Sequence, residues 1–369
     1  MAGELRSPWS PSWAVVPGEV LAEALEERGM TQAELARRTG RPLKTISEIV
    51  TGKAAITPDT AIQLERTLGI VAGFWNGLEG QYRQTLAADR SRRDLEDQVA
   101  WLDAFPVRDL VRYDRLPKRG SKAETLADLF SFFGVASPSG WEQVWSQSAA
   151  SYRLSQAHPS SPEALSAWLR WGEIEAGKKT APPFDKKLFA SKLTEIRALS
   201  RMSIPDVALA RLEALCLLAG VIVLRIPEVE GTRVSGAARW LRGRQPLIQI
   251  SLRYRSDDQL WYTFFHEAGH LMTGPQRRDV VEDDVEVGGT DAGDHTERAV
   301  DAFARDLLIP ADAYGKFIEA ADFRDASVRA FADSLGIAPG IVAGRLQHDH
   351  HVGPGALNQL KVFYARPTR

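Results

Sequence analysis

The sequence predicts a multidomain, mostly α-helical protein whose last third adds β-strands to the helices. Its 369 residues exceed one ordinary core, because domains hold roughly 150 residues each, and we expect about two to three domains. Residues 17–82 contain short helical segments separated by Gly, Pro or Thr, and residues 83–210 keep a mainly helical spacing. After residue 210, short β-branched runs at 220–224 and 246–250 favour strands.

The domain boundaries follow from these changes in composition. Residues 1–14 are rich in Pro and Ser and are interpreted as a flexible tail, and residues 15–82 as an N-terminal five-helix-type domain. Residues 83–210 are expected to form a helical connecting or sensor region, and residues 211–360 a C-terminal α+β domain. Four tryptophans at helical spacing in the middle region are expected in the core: Trp141, Trp145, Trp168 and Trp171.

The composition excludes several classes of protein. Hydrophobic residues make up 44% and charged residues 25% of the chain, as in soluble globular proteins. The longest apolar run, residues 214–224, is shorter than the ~20 residues of a membrane helix, and the first 20 residues lack a secretion signal. We therefore expect a cytoplasmic protein without a membrane partner, and the single cysteine, Cys216, is expected to be a buried thiol.

Two short helices with a tight turn are predicted near the N-terminus. Thr31 can cap a helix over residues 32–39, with Glu34 placed as in a capping box, and Gly40 suits a left-handed turn. Pro42 then suits the first turn of a helix that runs to Val50. A small residue, the glycine and two β-branched residues recur at the spacing that lets two helices cross closely: Ala36, Gly40, Ile46 and Ile49. The outer face of the second helix would stay free to enter a DNA groove.

This segment resembles the Xre/Cro-C1 helix-turn-helix family, and within it the HigA-type antitoxins. The resemblance rests on Pro17-Gly18-Glu19, Thr31-Gln32-Ala33-Glu34-Leu35-Ala36, Ile46-Ser47-Glu48-Ile49-Val50-Thr51-Gly52-Lys53 and Phe74-Trp75. It implies binding to a double-stranded DNA operator and, as in related readers, homodimers on palindromic sites. It places Leu43, Lys44, Thr45, Ser47 and Glu48 at base edges, and Arg37, Arg38, Arg41 and Lys53 near phosphates.

The charge pattern leaves a protein-interaction module as an alternative for this domain. The whole chain has a net charge of −2, so any contact with nucleic acid depends on a local patch. Residues 15–70 contain seven Lys or Arg against eight Asp or Glu, a net charge of −1. Five of those seven cations lie between Arg37 and Lys53, around the second helix of the pair.

A metal site is predicted in the C-terminal domain. His266 and His270 form an HExxH motif and lie about 40° apart on a helix, so both imidazoles can reach one zinc ion. Glu267 between them can act as the base that deprotonates a water. An apolar stripe predicts that a helix over residues 257–273 is buried on another face: Trp261, Phe264, Phe265, Ala268 and Met272.

The third ligand is expected on a later helix over residues 295–309. Glu297 can bind zinc there, and Asp301, one turn further on, can accept a hydrogen bond from a liganding imidazole. Ala299, Phe303 and Leu307 are expected to pack the opposite face, and Pro310 to end the helix. Glu282 and Glu286 are rival ligands in an acidic stretch, and His295 is either an oxyanion donor or an ordinary surface histidine.

The two motifs together resemble the ImmA/IrrE metallopeptidases, whose pattern is HExxH followed by ExxA(N/D)xFA and LLxP. Similar segments occur at residues 132–136, 235–241, 249–254 and 336–347, so that the resemblance to a form fused to a HigA-type domain covers most of residues 17–360. It implies a zincin-like domain with His266, His270 and Glu297 as ligands of one Zn²⁺ and Glu267 as general base. Relatives in that family cleave a repressor of their own regulon.

Three functions follow as hypotheses. The first is a DNA-binding regulator that carries a zinc endopeptidase domain and acts on its own operon and on a protein substrate. The second is an antitoxin that binds a toxin partner, with the zinc domain as a scaffold. The third is a peptidase with a helical module that does not bind DNA.

Two further patterns favour structural roles. Residues 328–346 look like a second helix-turn-helix, with Ala332, Gly336 and Val342 in register, but Arg345 occupies an apolar position, which favours a structural helix pair. His348-Asp349-His350-His351 precedes a Gly-Pro-Gly sequence, which favours an exposed loop over a metal site.

Overall fold

The computed structural model describes residues 15–146, 161–202, 204–241, 244–251, 253–274 and 290–364. The chain divides into two compact units, Met1–Ala100 and Trp101–Arg369. Within the described residues the protein is mostly helical, as expected from the sequence, and contains one three-stranded sheet. No helix of this described part is both long and apolar enough to span a membrane.

The described part of the N-terminal unit, residues 15–100, contains five helices around one apolar core. They are α1 (Pro17–Glu27), α2 (Gln32–Thr39), α3 (Leu43–Val50), α4 (Pro58–Leu68) and α5 (Ala72–Asp97). Burial of one apolar face of each helix drives their assembly, since α1 to α4, with 8 to 11 residues each, are too short to be stable alone. The fully buried side chains include Leu21, Leu35, Ile46, Leu64 and Trp75.

The predicted turn between α2 and α3 is confirmed with two corrections. Thr31 Oγ1 accepts a hydrogen bond from the Glu34 backbone N–H at 3.1 Å, and Gly40 has a φ of 69°. Pro42, however, is the N-cap residue, with extended backbone, and α3 begins one residue later. The Glu34 carboxylate binds Arg37 and Arg38 instead of completing the capping box, because two guanidinium groups attract it more than one amide.

The second unit combines helices with the sheet. Its helices are α6 (Val107–Arg112), α7 (Lys122–Phe133), α8 (Pro138–Trp141), α9 (Pro162–Ala176), α10 (Lys186–Ala198), α11 (Pro205–Leu218), α12 (Asp257–Thr273), α13 (Thr290–Leu308), α14 (Ala311–Glu319), α15 (Asp325–Leu335) and α16 (Pro339–His348). Short turns of other helix types lie at Val99–Ala104, Glu142–Ser146, Leu199–Arg201 and Asn358–Leu360.

The sheet contains one strand that the sequence did not predict. Its strands are β1 (Ile222–Arg225), β2 (Gly236–Leu241) and β3 (Gln245–Ile250), in the order β1-β3-β2. β1 is parallel to β3, with Ile222 opposite Leu247, and β2 is antiparallel to β3. β2 begins Gly-Ala-Ala-Arg, and without a β-branched run its strand formation depends on pairing with β3.

The middle of the chain differs from the domain boundaries expected from sequence. Helix α5 passes residue 82 without a break, and the first unit ends at Ala100. Helices α10 and α11 contribute Phe189, Ile196 and Leu212 to the same core as α12. The change in composition along the chain predicted a strand at residues 220–224, where β1 lies. It did not predict which earlier helices share the core with that strand. The four tryptophans expected in the core, Trp141, Trp145, Trp168 and Trp171, are buried, as predicted.

Helices α12 and α13 pack closely and carry the metal-site motifs. Trp261, Phe264, Phe265 and Ala268 are fully buried, as the predicted stripe requires. A Cβ added to Gly269 would lie 2.9 Å from Val300 Cγ1, so this glycine sets the close approach of the two helices. The predicted packing face of α13 is confirmed in part: Phe303 and Leu307 are half-buried against the core, but Ala299 is exposed. The fully buried side chains of this helix include Val300, Ala304 and Leu308.

Candidate DNA-binding surface and candidate metal centre

Helix α3 presents a polar face to solvent while its other face anchors it in the core. Ile46 and Ile49 are buried. Of the residues expected at base edges, Leu43, Lys44 and Ser47 are exposed, and Thr45 and Glu48 are half-buried. Lys44 Nζ lies 3.8 Å from Glu48 Oε1, a weak contact between exposed groups.

Gly18 fixes the position of α3 from the side of α1. A Cβ at Gly18 would lie 2.2 Å from the Ile49 carbonyl oxygen and 2.4 Å from that of Val50. Only glycine allows the start of α1 to lie against the carbonyl end of α3. This contact explains why the Pro17-Gly18-Glu19 segment accompanies the helix-turn-helix sequence.

Three of the cations expected near phosphates already have partners within the protein. Arg37 and Arg38 bind the Glu34 carboxylate, and hydrogen bonds from Arg38 and then Arg37 lower the pKa of Glu34. Arg41 Nε donates to Gln63 Oε1 at 2.5 Å, whereas Lys53 is exposed. DNA phosphates would therefore share Arg37 and Arg38 with a carboxylate, which reduces the positive field on that side.

The structure brings His266, His270 and Glu297 together at the packed faces of α12 and α13. One ligand atom from each residue lies within 4.8 Å of the other two. The Nε2 atoms of His266 and His270 are 3.2 Å apart. Glu297 Oε2 lies 3.4 Å from His266 Nε2, and Glu297 Oε1 lies 3.6 Å from His270 Nε2.

Asp301 and a tyrosine not selected from the sequence orient the first histidine. His266 Nδ1 lies 2.9 Å from Asp301 Oδ1, so Nδ1 carries the hydrogen and Nε2 faces Glu297 and His270. Tyr262 Oη donates to the same Asp301 oxygen at 2.7 Å. Tyr262 precedes His266 by four residues and shares its helix face, which is a signal that the sequence contained.

Charge distribution within this cluster favours a cation. Burial lowers the pKa of His266, but hydrogen bonds with Asp301 and Glu297 outweigh it and raise the pKa to about 10. Burial lowers the pKa of His270, although Glu297 opposes that effect. The hydrogen bond from His266 lowers the pKa of Asp301. The carboxylates of Glu297 and Asp301 thus favour a positive charge on the histidine pair, and that charge lies on His266 and not on His270.

Glu267 lies on the sheet side of α12, next to the start of β2. Its side chain is buried, and burial raises its pKa to about 7, although His266 opposes the shift. A Cβ at Gly236 would lie 2.8 Å from Glu267 Cγ and 2.6 Å from Thr263 Cγ2. Gly236 therefore allows the edge strand to lie against this carboxylate.

The other candidate residues from the sequence are exposed or fall outside the described residues. Glu282 and Glu286 fall outside the described residues. His295 is exposed at the surface of α13. His348 is the last residue of α16, and its side chain is 74% exposed and lies 3.0 Å from Asp349. His350 and His351, in the turn that follows, are exposed, as expected.

The five-helix unit and its exposed α3 define a helix-turn-helix domain. Sequence comparison with known proteins supports this assignment. The helix-turn-helix family HTH_3 matches residues 21–73, wholly within the first unit. A protein of Escherichia coli (strain K12), the uncharacterized HTH-type transcriptional regulator YddM, is 33% identical over 82 residues, which are 21% of this chain and 87% of that protein. The chain belongs to the helix-turn-helix family of DNA-binding transcriptional regulators.

Two solved structures are also similar to part of the chain. An addiction module antidote protein of the HigA family from Coxiella burnetii is 32% identical and has a TM-score of 0.22, covering 23% of this chain and 92% of its own. A protein from Nostoc punctiforme PCC 73102, assigned to the antidotes of a plasmid maintenance system, is 30% identical with a TM-score of 0.22 and covers 22% and 91%.

Proposed function

We propose that the chain is a transcriptional regulator that binds the operator of its own promoter and carries a zinc-dependent endopeptidase of the ImmA/IrrE type. The observation that carries the enzymatic half is the convergence of His266, His270 and Glu297, with buried Glu267 alongside. The DNA-binding half is supported by the helix-turn-helix match and by the exposed polar face of α3.

The donor set fits zinc. Two imidazole nitrogens and one carboxylate oxygen form the protein ligand set of many catalytic zinc sites, which leave one position open for water or substrate. The carboxylates that raise the pKa of His266 would favour a divalent cation in place of the proton. Asp301 and Tyr262 would hold the His266 ring in the tautomer that ligation requires.

In peptide hydrolysis, Glu267 would transfer the protons and the three ligands would hold the metal ion. A bound zinc ion supplies Lewis acidity, which polarises the peptide carbonyl and acidifies water. Glu267 would accept a proton from the attacking water on its carboxylate and return it to the leaving amide nitrogen. Its pKa of about 7 suits both transfers, because a base close to the operating pH can accept and release a proton.

The proposal is tested by metal analysis of the full chain purified without chelators. We expect about one zinc per chain for the wild type. The control variant Asp306→Ala should bind the same amount, because Asp306 is an exposed residue of α13, the helix that carries Glu297. Glu297→Ala should bind zinc at least ~10-fold more weakly, since it removes one of three protein ligands. Equal zinc in all three proteins, or none in a folded wild type, would contradict the ligand set.

Turnover needs a separate experiment. New protein N-termini would be compared between cells that express the wild type and cells that express Glu267→Gln, which retains the three ligands. We expect cleaved fragments of one partner with the wild type only, and equal operator binding by both proteins. Identical N-termini with zinc bound would refute the peptidase.

The second candidate is an antitoxin that represses its operon and binds a toxin. It is favoured by the HigA-type sequence segments, of which Gly18 serves the close contact between α1 and α3. In that case the C-terminal unit would be a scaffold, and Glu267→Gln would leave every phenotype unchanged. A purified complex with a small toxin that persists in Glu297→Ala would support this candidate over the peptidase.

A further inference from the structure

A cavity of about 140 Å³ lies beside the candidate metal centre, between α12, α13 and α16. Its apolar wall is formed by Leu308, Ile309 and Ile341, with Gly344 adding no side chain. Polar groups lie at its rim: Asp258, Gln259, Tyr262, Arg305, Arg345 and His348. An engineered apolar cavity of about 150 Å³ holds one benzene molecule, so this cavity has the volume of a single ring or a short acyl chain.

The charged groups at the rim are paired to different extents, and Arg305 is attracted by Asp301 through space without a direct contact. Arg345 Nε donates to Asp349 Oδ2 at 2.5 Å, and its guanidinium lies over the Tyr314 ring. Asp258 is paired with Lys361 at 2.7 Å, with both side chains nearly buried. Arg305 has no ion pair with any residue in the described part of the chain. The cavity therefore offers an apolar wall next to a guanidinium that forms no contact ion pair with the described residues.

Tyr262 connects the cavity to the metal cluster. Its side chain lines the cavity, and its hydroxyl donates to Asp301 Oδ1, which also binds His266 Nδ1. A molecule in the cavity that moves or repolarises Tyr262 would change how Asp301 holds His266. Two hydrogen bonds thus separate the cavity from a candidate zinc ligand.

We propose that this cavity binds a small apolar carboxylate and that its occupancy regulates the adjacent metal centre. The carboxylate pairs with Arg305, and the apolar body lies against Leu308, Ile309 and Ile341. A guanidinium favours a carboxylate over an amine or a neutral polar ligand, because its N–H groups match the two oxygens. Binding itself is independent of zinc, whereas the regulatory consequence rests on the proposed zinc function.

Binding is tested with benzoate as the probe, by calorimetric titration of the full chain in metal-free and zinc-loaded forms. Benzamide, of similar shape but uncharged, should bind at least ~10-fold more weakly, since it lacks the charge-assisted hydrogen bonds between a carboxylate and a guanidinium. Arg305→Gln should weaken benzoate binding by about 10-fold, and Arg305→Lys should weaken it less. Arg329→Gln, an exposed arginine of α15, should bind like the wild type.

Several outcomes would overturn the proposal. They are no binding of benzoate up to about 20 mM, equal binding of benzamide, or unchanged binding by folded Arg305→Gln. Because the metal-free protein is titrated as well, these outcomes do not depend on whether zinc binds.

Regulation is tested by the zinc affinity of the wild type with and without saturating benzoate. We expect a change of about 3-fold or more, which is lost in Tyr262→Phe, because that variant lacks the hydrogen bond to Asp301. Benzoate binding with unchanged zinc affinity would refute the regulatory half. Absence of zinc binding in a protein that binds benzoate would instead refute the proposed zinc function.

Discussion

Helices α2–α3 and α15–α16 use the same local signals but lie in different surroundings. Each pair has a buried alanine, then a glycine with a φ of 69°, then a fully buried β-branched residue: Ala36, Gly40 and Ile46 in the first, and Ala332, Gly336 and Val342 in the second. The separation of 296 residues is the same at all three positions. Each pair therefore turns between its helices in the same way.

The two second helices differ in what they face. In α3, Lys44, Ser47 and Glu48 occupy the outer face. At the matching positions of α16 stand Gly340, Ala343 and Gly344, and α16 buries most of its surface. Gly340 and Gly344 receive the carboxylates of Asp257 and Asp258 at the start of α12. A helix-turn-helix signal thus predicts a turn, and the residues on the second helix decide between reading DNA and supporting a core.

The largest effect is expected at Lys361, which neutralises Asp258 at the start of α12. Lys361 binds Asp258, whose side chain is 5% exposed, so Lys361→Met leaves a buried carboxylate without its cation. We expect the unfolding free energy of the second unit to fall by about 3–5 kcal/mol. Hydrogen exchange resolved by peptide would measure it, with the first unit as internal control. A loss below about 1 kcal/mol would show that water solvates Asp258.

The glycine contacts provide the next test. A Cβ at Gly344 would lie 2.3 Å from Asp258 Oδ2, so Gly344→Ala should destabilise the second unit by about 1–3 kcal/mol. Glu48→Ala, at the matching position of α3, should change stability by less than about 0.5 kcal/mol, because that side chain borders solvent. Equal effects at both positions, measured by denaturant unfolding, would remove the distinction between the two pairs.

A pH-dependent effect of similar or smaller size is expected at Asp257. Burial raises its pKa from 3.8 to about 6, more than its hydrogen bonds and Lys361 lower it. The folded state then binds the proton more tightly than the unfolded state, so stability falls as pH rises from about 4 to about 6, by on the order of 2 kcal/mol. Asp257→Asn should remove this component. Parallel stability curves for the wild type and Asp257→Asn between pH 4 and 7 would contradict it.

The functional difference between the pairs should appear in DNA binding. Lys44→Ala should weaken binding to the protein's own upstream DNA by about 10-fold, since a base-edge contact contributes about 1–3 kcal/mol. Arg345→Ala, on the second helix of the other pair, should leave binding unchanged, as should Arg90→Ala on an exposed part of α5. Fluorescence anisotropy at several salt concentrations would measure these affinities. A loss with Arg345→Ala equal to that with Lys44→Ala would mean that α16 also reaches DNA.

Local sequence predicted elements better than it predicted their partners. The HExxH helix was predicted over the residues that form α12, because its apolar stripe and its histidines repeat at helical spacing. Helix α13 begins at Thr290, five residues before the predicted start, and Val300 is buried there while the predicted Ala299 is exposed. The apolar residues of α13 occupy 299, 300, 303, 304, 307 and 308, so the sequence alone allowed either 299 or 300 to face the core. The close approach of Val300 to Gly269 places residue 300 there.

The sequence by itself determined the short-range features: the cap of Thr31, the turn at Gly40, the exposed face of α3 and the spacing of His266 and His270. These depend on groups within about one turn of each other, and such contacts are encoded by adjacent residues. Only the tertiary structure decided that Gly236 lies against Glu267, that Tyr262 joins Asp301 to His266, and that α16 supports α12. Those contacts join residues far apart in the chain, and their formation depends on how whole helices and strands pack.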